Sequence, residues 1–437
     1  MENLAATYHS LGNLDKAAEF KSLVLEKRTQ TLGLDHPETL QAMGNLAATY
    51  QSLGNLDKAA ELETLVIEKR TQILGQDHPE TLTAMGNLAV TYHYLGNLEK
   101  AAELITLVFE KWTQTLGQHH PDTLRAMENL AATYHSLGNL DKAAELKSLV
   151  LEKRTQTLGQ DHPETLQAME NLAVTYHSLR NLDKAAELQI LVLEKRTQIL
   201  GQDHLKTLQA MGNLAITYHS LGNLDKAVEL ETLVFEKRTQ TLEQDHPETL
   251  QAMENLAVTY HSLRNLDKAA ELQILVLEKR TQILGQDHLK TLQAMGNLAI
   301  TYHSLGNLDK AVELETLVFE KRTQTLEQDH PETLQAMENL AVTYHSLRNL
   351  DKAAELQILV LEKRTQILGQ DHLKTLQAMG NLAATYWSLK NLDKAAELDA
   401  LVLEKRTQTL GQDHPETLTA MGNLAVTYHS LGNLDKA

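Results

Sequence analysis

The chain of 437 residues is 42% apolar and 22% charged, which excludes a disordered polypeptide and allows a buried core. It has no cysteine, which excludes disulfides, thiolate-bound zinc and a cysteine nucleophile. With 40 Lys and Arg against 58 Asp and Glu, the net charge of −18 argues against nucleic acid or anionic membranes as partners. Because no signal peptide or membrane-length apolar run occurs, we expect a cytoplasmic protein.

An internal repeat organises the whole chain. The tripeptide Asn-Leu-Ala recurs every 42 residues from Asn3 to Asn423, with no linker between the copies. We therefore expect one array over residues 1–437, as a fragment of a longer chain. Its ten full repeats would be 3–44, 45–86, 87–128, 129–170, 171–212, 213–254, 255–296, 297–338, 339–380 and 381–422, followed by the partial repeat 423–437.

The middle of the array was copied in pairs of repeats. Residues 171–254 are identical to 255–338, and 339–380 repeats 171–212 again. Within the pair, 171–212 has five basic and four acidic residues, whereas 213–254 has three and eight. The charge therefore alternates between +1 and −5 along this part of the chain.

The first element of each repeat is predicted to be an amphipathic helix. Pro37 suits the first helical position, and Glu38 in the first turn favours the helix dipole. The sequence Gly54-Asn55 predicts the end of this helix. Its apolar stripe consists of residues at three- and four-residue spacing: Leu40, Met43, Leu46, Ala47, Tyr50 and Leu53.

The second element is also predicted to be a helix, with Asn55 as a plausible N-cap and Gly75 as its stop. Its apolar residues follow helical spacing and are Leu56, Ala59, Leu62, Leu65, Val66, Ile73 and Leu74. No alternating pattern predicts a strand. A single unit cannot cover both stripes, so we expect neighbouring units to bury them together.

Repeated residues carry a resemblance to a known family: Leu46, Ala47, Tyr50, Gly54, Ala59 and the Asp77-His78-Pro79 turn. Their order resembles the tetratricopeptide repeat. The 42-residue unit with its Leu-Gly-x-Asp-His-Pro connection is more similar to kinesin light chains and to arrays at the C-terminus of some nucleotide-binding signalling receptors. The resemblance spans essentially the whole chain. It implies an all-α solenoid, a right-handed superhelix whose concave groove, lined by first helices, binds peptide segments.

Two positions depart from the general repeat. Glu63 stands where the family favours an aromatic residue, and Val66 stands where it favours Ala. We expect looser or rotated packing there.

The resemblance also implies which asparagines contact a peptide. In similar repeats, the Asn at this place on the first helix holds the backbone of the ligand, and a carboxamide offers both donors and an acceptor for that purpose. The alternative is that these side chains cap or bridge neighbouring helices. The series consists of Asn45, Asn87, Asn129, Asn171, Asn213, Asn255, Asn297, Asn339 and Asn381.

Variation among the repeats gives a second indication of the groove. First-helix positions such as Gln41, Gly44 and Ala48 change between copies, whereas Leu46 and Tyr50 hardly change. The competing interpretation is drift on a solvent-facing surface, because the second helix also varies. It does so at the position occupied by Lys21, Glu63, Ile105 and Gln189.

Two aromatic residues replace Ser or His at varying first-helix positions. Tyr94 and Trp387 are therefore candidate anchors for a ligand. The Tyr8 series, by contrast, is expected in the core.

Histidine recurs near the end of most first helices. A ladder with one His per repeat cannot chelate a metal, because packed helices lie about 8–10 Å apart, so no metal site is expected. We expect instead that groove histidines gain charge near pH 6 and alter ligand preference. The candidates are His135, His177, His219, His261 and His303.

Basic substitutions occur at two kinds of junction. Arg180, Arg264, Arg348 and Lys390 replace the Gly54-type residue and are expected to be solvated charges. Three first helices begin with Leu-Lys instead of Pro-Glu, at Lys206, Lys290 and Lys374. Because Lys opposes the helix dipole there, we expect these junctions to open most easily.

Nothing in the sequence supports catalysis. No phosphate-binding loop, His-Glu-x-x-His or Gly-x-Ser-x-Gly motif occurs, so no enzyme activity and no cofactor are expected. The leading hypothesis is a scaffold that binds proteins or peptide segments, as a kinesin-type adaptor or a receptor sensor array. The alternative is a structural array that self-associates end to end.

Overall fold

A computed structural model describes residues 2–433 and 435 of the chain. Within these residues the chain forms 21 α-helices and no strand, which confirms the all-α arrangement of helix pairs. The first helices are α1 (Glu2–Ser10), α3 (Pro37–Ser52), α5 (Pro79–Tyr94), α7 (Pro121–Ser136), α9 (Pro163–Ser178), α11 (Leu205–Ser220), α13 (Pro247–Ser262), α15 (Leu289–Ser304), α17 (Pro331–Ser346), α19 (Leu373–Ser388) and α21 (Pro415–Ser430). The second helices are α2 (Leu14–Leu32), α4 (Leu56–Leu74), α6 (Leu98–Leu116), α8 (Leu140–Leu158), α10 (Leu182–Leu200), α12 (Leu224–Leu242), α14 (Leu266–Leu284), α16 (Leu308–Leu326), α18 (Leu350–Leu368) and α20 (Leu392–Leu410).

Two compact units divide the chain, residues 1–223 and residues 224–437. Inside each unit, every helix packs against the helix before it and the helix after it. No helix in the described part of the chain is both long and apolar enough to cross a lipid bilayer.

Each first helix after α1 begins with a histidine cap that the sequence analysis missed. The backbone N–H of Glu38 donates to Nδ1 of His36 at 3.3 Å, and Pro37 occupies the first helical position as predicted. The same cap forms where Lys replaces Glu, since Lys206 donates to His204 at 3.1 Å. The imidazole satisfies a donor that would otherwise be unpaired at the helix start.

The asparagine expected to cap the second helix acts mainly through its backbone. The carbonyl oxygen of Asn55 accepts the first helical bond from Ala59, but the Asn55 side chain makes no capping bond. A side-chain cap forms only at Asn13 and Asn139 among the helices with a described cap. The interpretation of this series as side-chain caps is therefore wrong at most repeats.

A left-handed residue ends each first helix. Gly54 has φ of 75°, its N–H donates to the Gln51 carbonyl, and the Asn55 N–H donates to the Tyr50 carbonyl. These two hydrogen bonds close the helix, and the chain then turns into the second helix. Arg180, Arg264, Arg348 and Lys390 make the same turn with φ of 60–63°, where a side chain is strained.

Replacing Arg264 by Gly is therefore expected to raise the free energy of unfolding by about 0.5–1 kcal/mol. Glycine removes the clash between Cβ and backbone, as Gly306 already does at the same place one repeat later. Urea unfolding of the two proteins measures the gain. Arg264→Ala is the control, because it removes the charge but keeps the strain, and an equal gain from it would contradict the explanation.

The core consists of small clusters that each join three consecutive helices. One cluster contains Leu40 and Met43 of α3, Val66 of α4 and Ala84 of the following first helix α5. Its counterpart in the second unit contains Leu292, Met295, Val318 and Ala336. Within each unit, a helix pair therefore depends on its successor to bury its apolar side chains, as expected for a repeat array.

The predicted stripe of the second helix is partly wrong. Ile73 and Leu74 lie exposed at the end of α4, whereas Glu63 and Arg70 are buried beside Val66. The buried side of the second helix is thus partly polar, because it faces the next first helix as well as its own.

Candidate functional site

The first-helix face is the side of the first helices that carries the Asn45 series and the varying Gln41 and Ala48 positions. Asn45 and Asn87 are exposed on this face, and the other seven candidate asparagines are half-buried. All nine are thus accessible to solvent at least in part, and their common binding surface stays a prediction.

A glutamine on the same helix orients the asparagine side chain at Asn45, Asn171, Asn255 and Asn339. Nε2 of Gln41 donates to Oδ1 of Asn45 at 3.1 Å, and Gln335 donates to Asn339 at 3.0 Å. In the described part of the chain, the Nδ2 amide of Asn45 donates to no protein atom. The carboxamide therefore offers both Nδ2 hydrogens to a ligand, together with the second lone pair of Oδ1.

Recesses between successive first helices lie on this face. The recess between α5 and α7 has a volume of about 220 Å³ and contains Asn87, Val90, Asn129 and Arg125, the counterpart of Gln41. The recess between α15 and α17 has a volume of about 180 Å³ and contains Asn297, Ile300 and Asn339. Varying first-helix residues and asparagines are therefore brought together, as predicted.

The floor of each recess comes from the second helix. Ile105, 1% exposed, and Glu315, 5% exposed, lie at the floor of the two recesses above, and Lys21 lines the recess between α1 and α3. This is the second-helix position whose variation was considered solvent-facing drift. That interpretation is wrong, because the position is buried at Glu63, Ile105 and Gln189.

A buried ion pair fills the recess in some hairpins. In the hairpin of α13 and α14, Nη1 of Arg280 lies 2.6 Å from Oε1 of Glu254, and Nη2 lies 2.8 Å from Oε2. The same guanidinium donates to the carbonyl of Lys290 at the start of α15. Burial raises the pKa of Glu254, and the positive charge of Arg280 opposes that rise.

Other hairpins place the acid elsewhere. In α15 the position of Glu254 is occupied by Gly296, and Arg322 of α16 pairs with Glu332 of α17 at 3.4 Å. The hairpins with Glu170, Glu254 and Glu338 are the ones followed by Lys206, Lys290 and Lys374. The acid lost from those helix starts is thus replaced by one on the preceding first helix, which keeps a carboxylate beside the arginine.

A second group of acids has no cationic partner among the described residues. Thr91 donates to Glu63 at 2.6 Å, and Thr427 donates to Asp399 at 2.8 Å. Burial raises the pKa of Glu63, Glu231 and Glu315 to about 7, since their hydrogen bonds to threonine compensate only in part. These carboxyls are costly to ionise where they stand.

The candidate histidines join neighbouring first helices. Nε2 of His135, His177, His261 and His303 lies 2.8–3.0 Å from the serine hydroxyl 43 residues later. Burial, with nearby Lys147 or Arg264, lowers the pKa of His135 and His261. These two imidazoles therefore gain charge at a lower pH than a free imidazole does, and the effect of that charge on a ligand stays a prediction. The structure places His219 on α11, half-buried like the others.

The two candidate anchors lie in different environments. Tyr94 is 64% exposed and packs edge-on against His93, with 5.9 Å between ring centroids. Trp387 is half-buried, its Nε1 donates to Ser430 at 3.0 Å, and Lys390 lies over its ring at 4.9 Å. Tyr94 is thus available for contact, whereas Trp387 takes the place of histidine in the bond between first helices.

The Tyr8 series lies at the edge of the core, where Tyr134 packs against the cluster that contains Leu130. Tyr50 is half-buried, and the Lys58 ammonium lies 5.5 Å from its ring centroid. This cation–π contact covers the outer ring face in most repeats. Among the described residues, no group of three His, Asp or Glu side chains is arranged to share a metal ion.

Comparison with known proteins assigns the family. The tetratricopeptide repeat model matches residues 1–72, 96–152, 122–194, 164–240, 248–324, 332–404 and 375–437, which together exceed half of the chain. The chain belongs to the tetratricopeptide repeat family. A comparison with curated proteins finds no match.

Solved structures similar to this tetratricopeptide repeat chain differ in how much they share with it. The quorum sensor NprR from B. thuringiensis is 13% identical, with a TM-score of 0.54 over 84% of this chain and 99% of its own. A kinesin light chain-type protein of nearly identical TPR-like repeats, from Podosopora anserina, is 29% identical, with a TM-score of 0.44 over 47% of this chain and 98% of its own. BtubC from P. vanneervenii is 21% identical, with a TM-score of 0.46 over 53% of this chain and 92% of its own.

Proposed function

We propose that the first-helix face binds peptide segments of partner proteins and that the chain, as one array over residues 1–437, is a non-catalytic scaffold. The observation that supports this proposal is the row of recesses between first helices. Each recess combines carboxamide donors with an apolar wall, such as Asn87 and Asn129 beside Val90. Placed polar groups beside apolar walls in a recess are typical of a binding site.

The asparagines are proposed to hold the ligand backbone. An Nδ2 amide with no protein acceptor donates to a peptide carbonyl, a contact that is independent of the ligand's side chains and contributes about 0.5–1.5 kcal/mol. The exposed ring of Tyr94 adds an apolar contact at one end of the α5 recess. The histidines hold adjacent first helices together and so position the donors. We expect such a face in a cargo adaptor or a receptor sensor array.

Replacing Asn255, Asn297 and Asn339 together by Ala is expected to weaken peptide binding about tenfold or more, because three backbone bonds are lost. The probe is a peptide selected from a displayed library on the intact chain, and the measurement is fluorescence anisotropy. Unchanged affinity would reject the role of these asparagines.

A matched control exists within the same hairpins of the array. Asn265, Asn307 and Asn349 have the same spacing, precede the second helices and make no side-chain cap bond. Their joint replacement by Ala is expected to leave the affinity for the same peptide within about twofold. An equal loss in both triple variants would show a general effect on the array.

A further inference from the structure

We propose that hairpins opened by a glycine bind a Lys or Arg side chain of the partner segment, with a floor acid as its counter-charge. The site is the recess above Glu315, and the hairpins of Glu63 and Asp399 have the same combination of a first-helix glycine and a floor acid. This inference rests on the proposed function and specifies the chemistry of the ligand. Glu315 provides the most complete example, because its recess lies wholly within one unit and all three helices around it are described.

The recess above Glu315 has the shape for a long cationic side chain. A Cβ atom added at Gly296 would meet no other atom within 4 Å, so the space that Glu254 fills in the preceding hairpin is open here. Ile300 and Val318 provide apolar walls, and the recess holds about 180 Å³. Lysine and arginine bury their methylene stems against such walls while the charged head pairs with an acid.

The acid at the floor has an unused oxygen. Glu315 is 5% exposed, and its carboxyl group is hydrogen-bonded to Thr343. Its Oε2 atom has no hydrogen-bond partner. The one charged neighbour lining the recess, Arg322, pairs with Glu332 instead. Burial raises the pKa of Glu315 to about 7, so the carboxylate is stabilised only when a positive charge arrives.

The repeats distribute this acid in a regular way. In the described hairpins an acid stands on the first helix or at the floor but never at both, and the hairpin with Gly86 and Ile105 has an acid at neither position. Glycine goes with a floor acid in the pairs Gly44/Glu63, Gly296/Glu315 and Gly380/Asp399. Glutamate goes with a neutral or basic floor in Glu128/Lys147, Glu170/Gln189, Glu254/Gln273 and Glu338/Gln357.

The position of the acid in a hairpin decides whether the acid has a cationic partner. An acid on the first helix is neutralised by the arginine of its own hairpin, as Glu254 is by Arg280. An acid at the floor is hydrogen-bonded only by a threonine, and the space above it is open because the first helix has glycine there. The hairpin with Gly86 and Ile105 has an open recess without an acid, and there we expect an apolar ligand group. The array therefore presents a fixed order of cationic and apolar subsites.

The test compares two triple variants of the full chain with equal loss of charge. The floor variant carries Glu63→Gln, Glu315→Gln and Asp399→Asn, and the control carries Glu61→Gln, Glu313→Gln and Glu397→Gln. The control acids are exposed and stand two residues earlier on the same helices. The probes are fluorescein-labelled hexalysine, hexaglutamine and hexaglutamate, measured by anisotropy at physiological ionic strength.

The floor variant is expected to bind hexalysine about tenfold or more weakly, whereas the control stays within about twofold of the parent. Equal weakening in both variants, or binding of hexaglutamate in preference to hexalysine, overturns the inference. Folding of the floor variant is supported by Gln273 and Gln357, which occupy the same position. The library-selected peptide of the previous section is tested in parallel, so that its retained binding separates failure of this inference from failure of the proposed function.

A gain-of-site variant provides a reciprocal measurement. Glu338→Gly, Gln357→Glu and Lys374→Glu together give the hairpin of α17 and α18 the arrangement found at Gly296, Glu315 and Glu332. We expect hexalysine to bind this variant about threefold or more tightly, through one added subsite. An unchanged affinity of a folded variant would contradict the inference.

Discussion

Glu338→Ala is expected to lower the free energy of unfolding of its hairpin by about 3–5 kcal/mol, because Arg364 is then buried without a counter-charge. Arg364 is 4% exposed, and its Nη2 donates to Oε2 of Glu338 at 2.7 Å. Only the Lys374 carbonyl, at 2.9 Å, would remain as its partner. Urea unfolding followed by Trp387 fluorescence measures the loss, since Trp387 lies on the adjoining helix α19. A Trp112→Phe background removes the other tryptophan.

Moving the acid should restore this stability. Adding Lys374→Glu to Glu338→Ala places a carboxylate where Glu332 meets Arg322 one hairpin earlier. We expect the double variant to recover more than half of the lost free energy, because the arginine regains a partner. The exposed Glu362 on α18 is the control, and its change to Ala is expected to have an effect below about 0.5 kcal/mol. No recovery would mean that Glu338 acts by packing.

Glu315→Gln is expected to stabilise the protein at alkaline pH, by about 1–3 kcal/mol at about pH 8. The pKa of Glu315 is raised from 4.5 to about 7 in the fold, so the folded chain holds this proton more tightly than the unfolded chain. The stability that this provides is complete below the unfolded value and is lost as the pH rises through about 7. Glutamine has no such loss and already occupies this position at Gln273 and Gln357.

The measurement is urea unfolding of both proteins at about pH 5 and about pH 8. The two curves should nearly coincide at the lower pH, where the Glu315 carboxyl is protonated in the fold, and separate at the higher one. Glu313→Gln removes an exposed charge two residues away and is expected to show no such separation. A gain of the same size at both pH values would mean that the ionisation of Glu315 is not its cause.

These two expectations show that an acid has opposite effects on stability at the two positions of a hairpin. On the first helix it completes a buried ion pair, and at the floor it costs stability unless a cation binds. Retaining a destabilising group at Glu63, Glu231 and Glu315, when Gln fits the same place, is typical of a position kept for function.

Much of the fold and the common surface of the site could be predicted from the sequence. The three- and four-residue spacing of Leu40, Met43, Leu46 and Ala47, with Pro37 at the start and Gly54 at the end, defines a helix by local chemistry alone. The fixed period then places every Asn45-type residue at an equivalent point. Equivalent surroundings follow wherever the neighbouring repeats are alike.

Only the tertiary structure decided which polar residues are buried. The side chain of Glu63 meets Thr91, 28 residues later, and Arg364 meets Glu338, 26 residues earlier. Helical periodicity assigns a residue to a face of its own helix, but burial depends on which neighbours that face contacts. Where both neighbouring first helices lie in the same unit, a second helix contacts both of them, which encloses a wider arc than its apolar stripe indicates. For that reason the floor position, variable and polar in sequence, lies inside the structure.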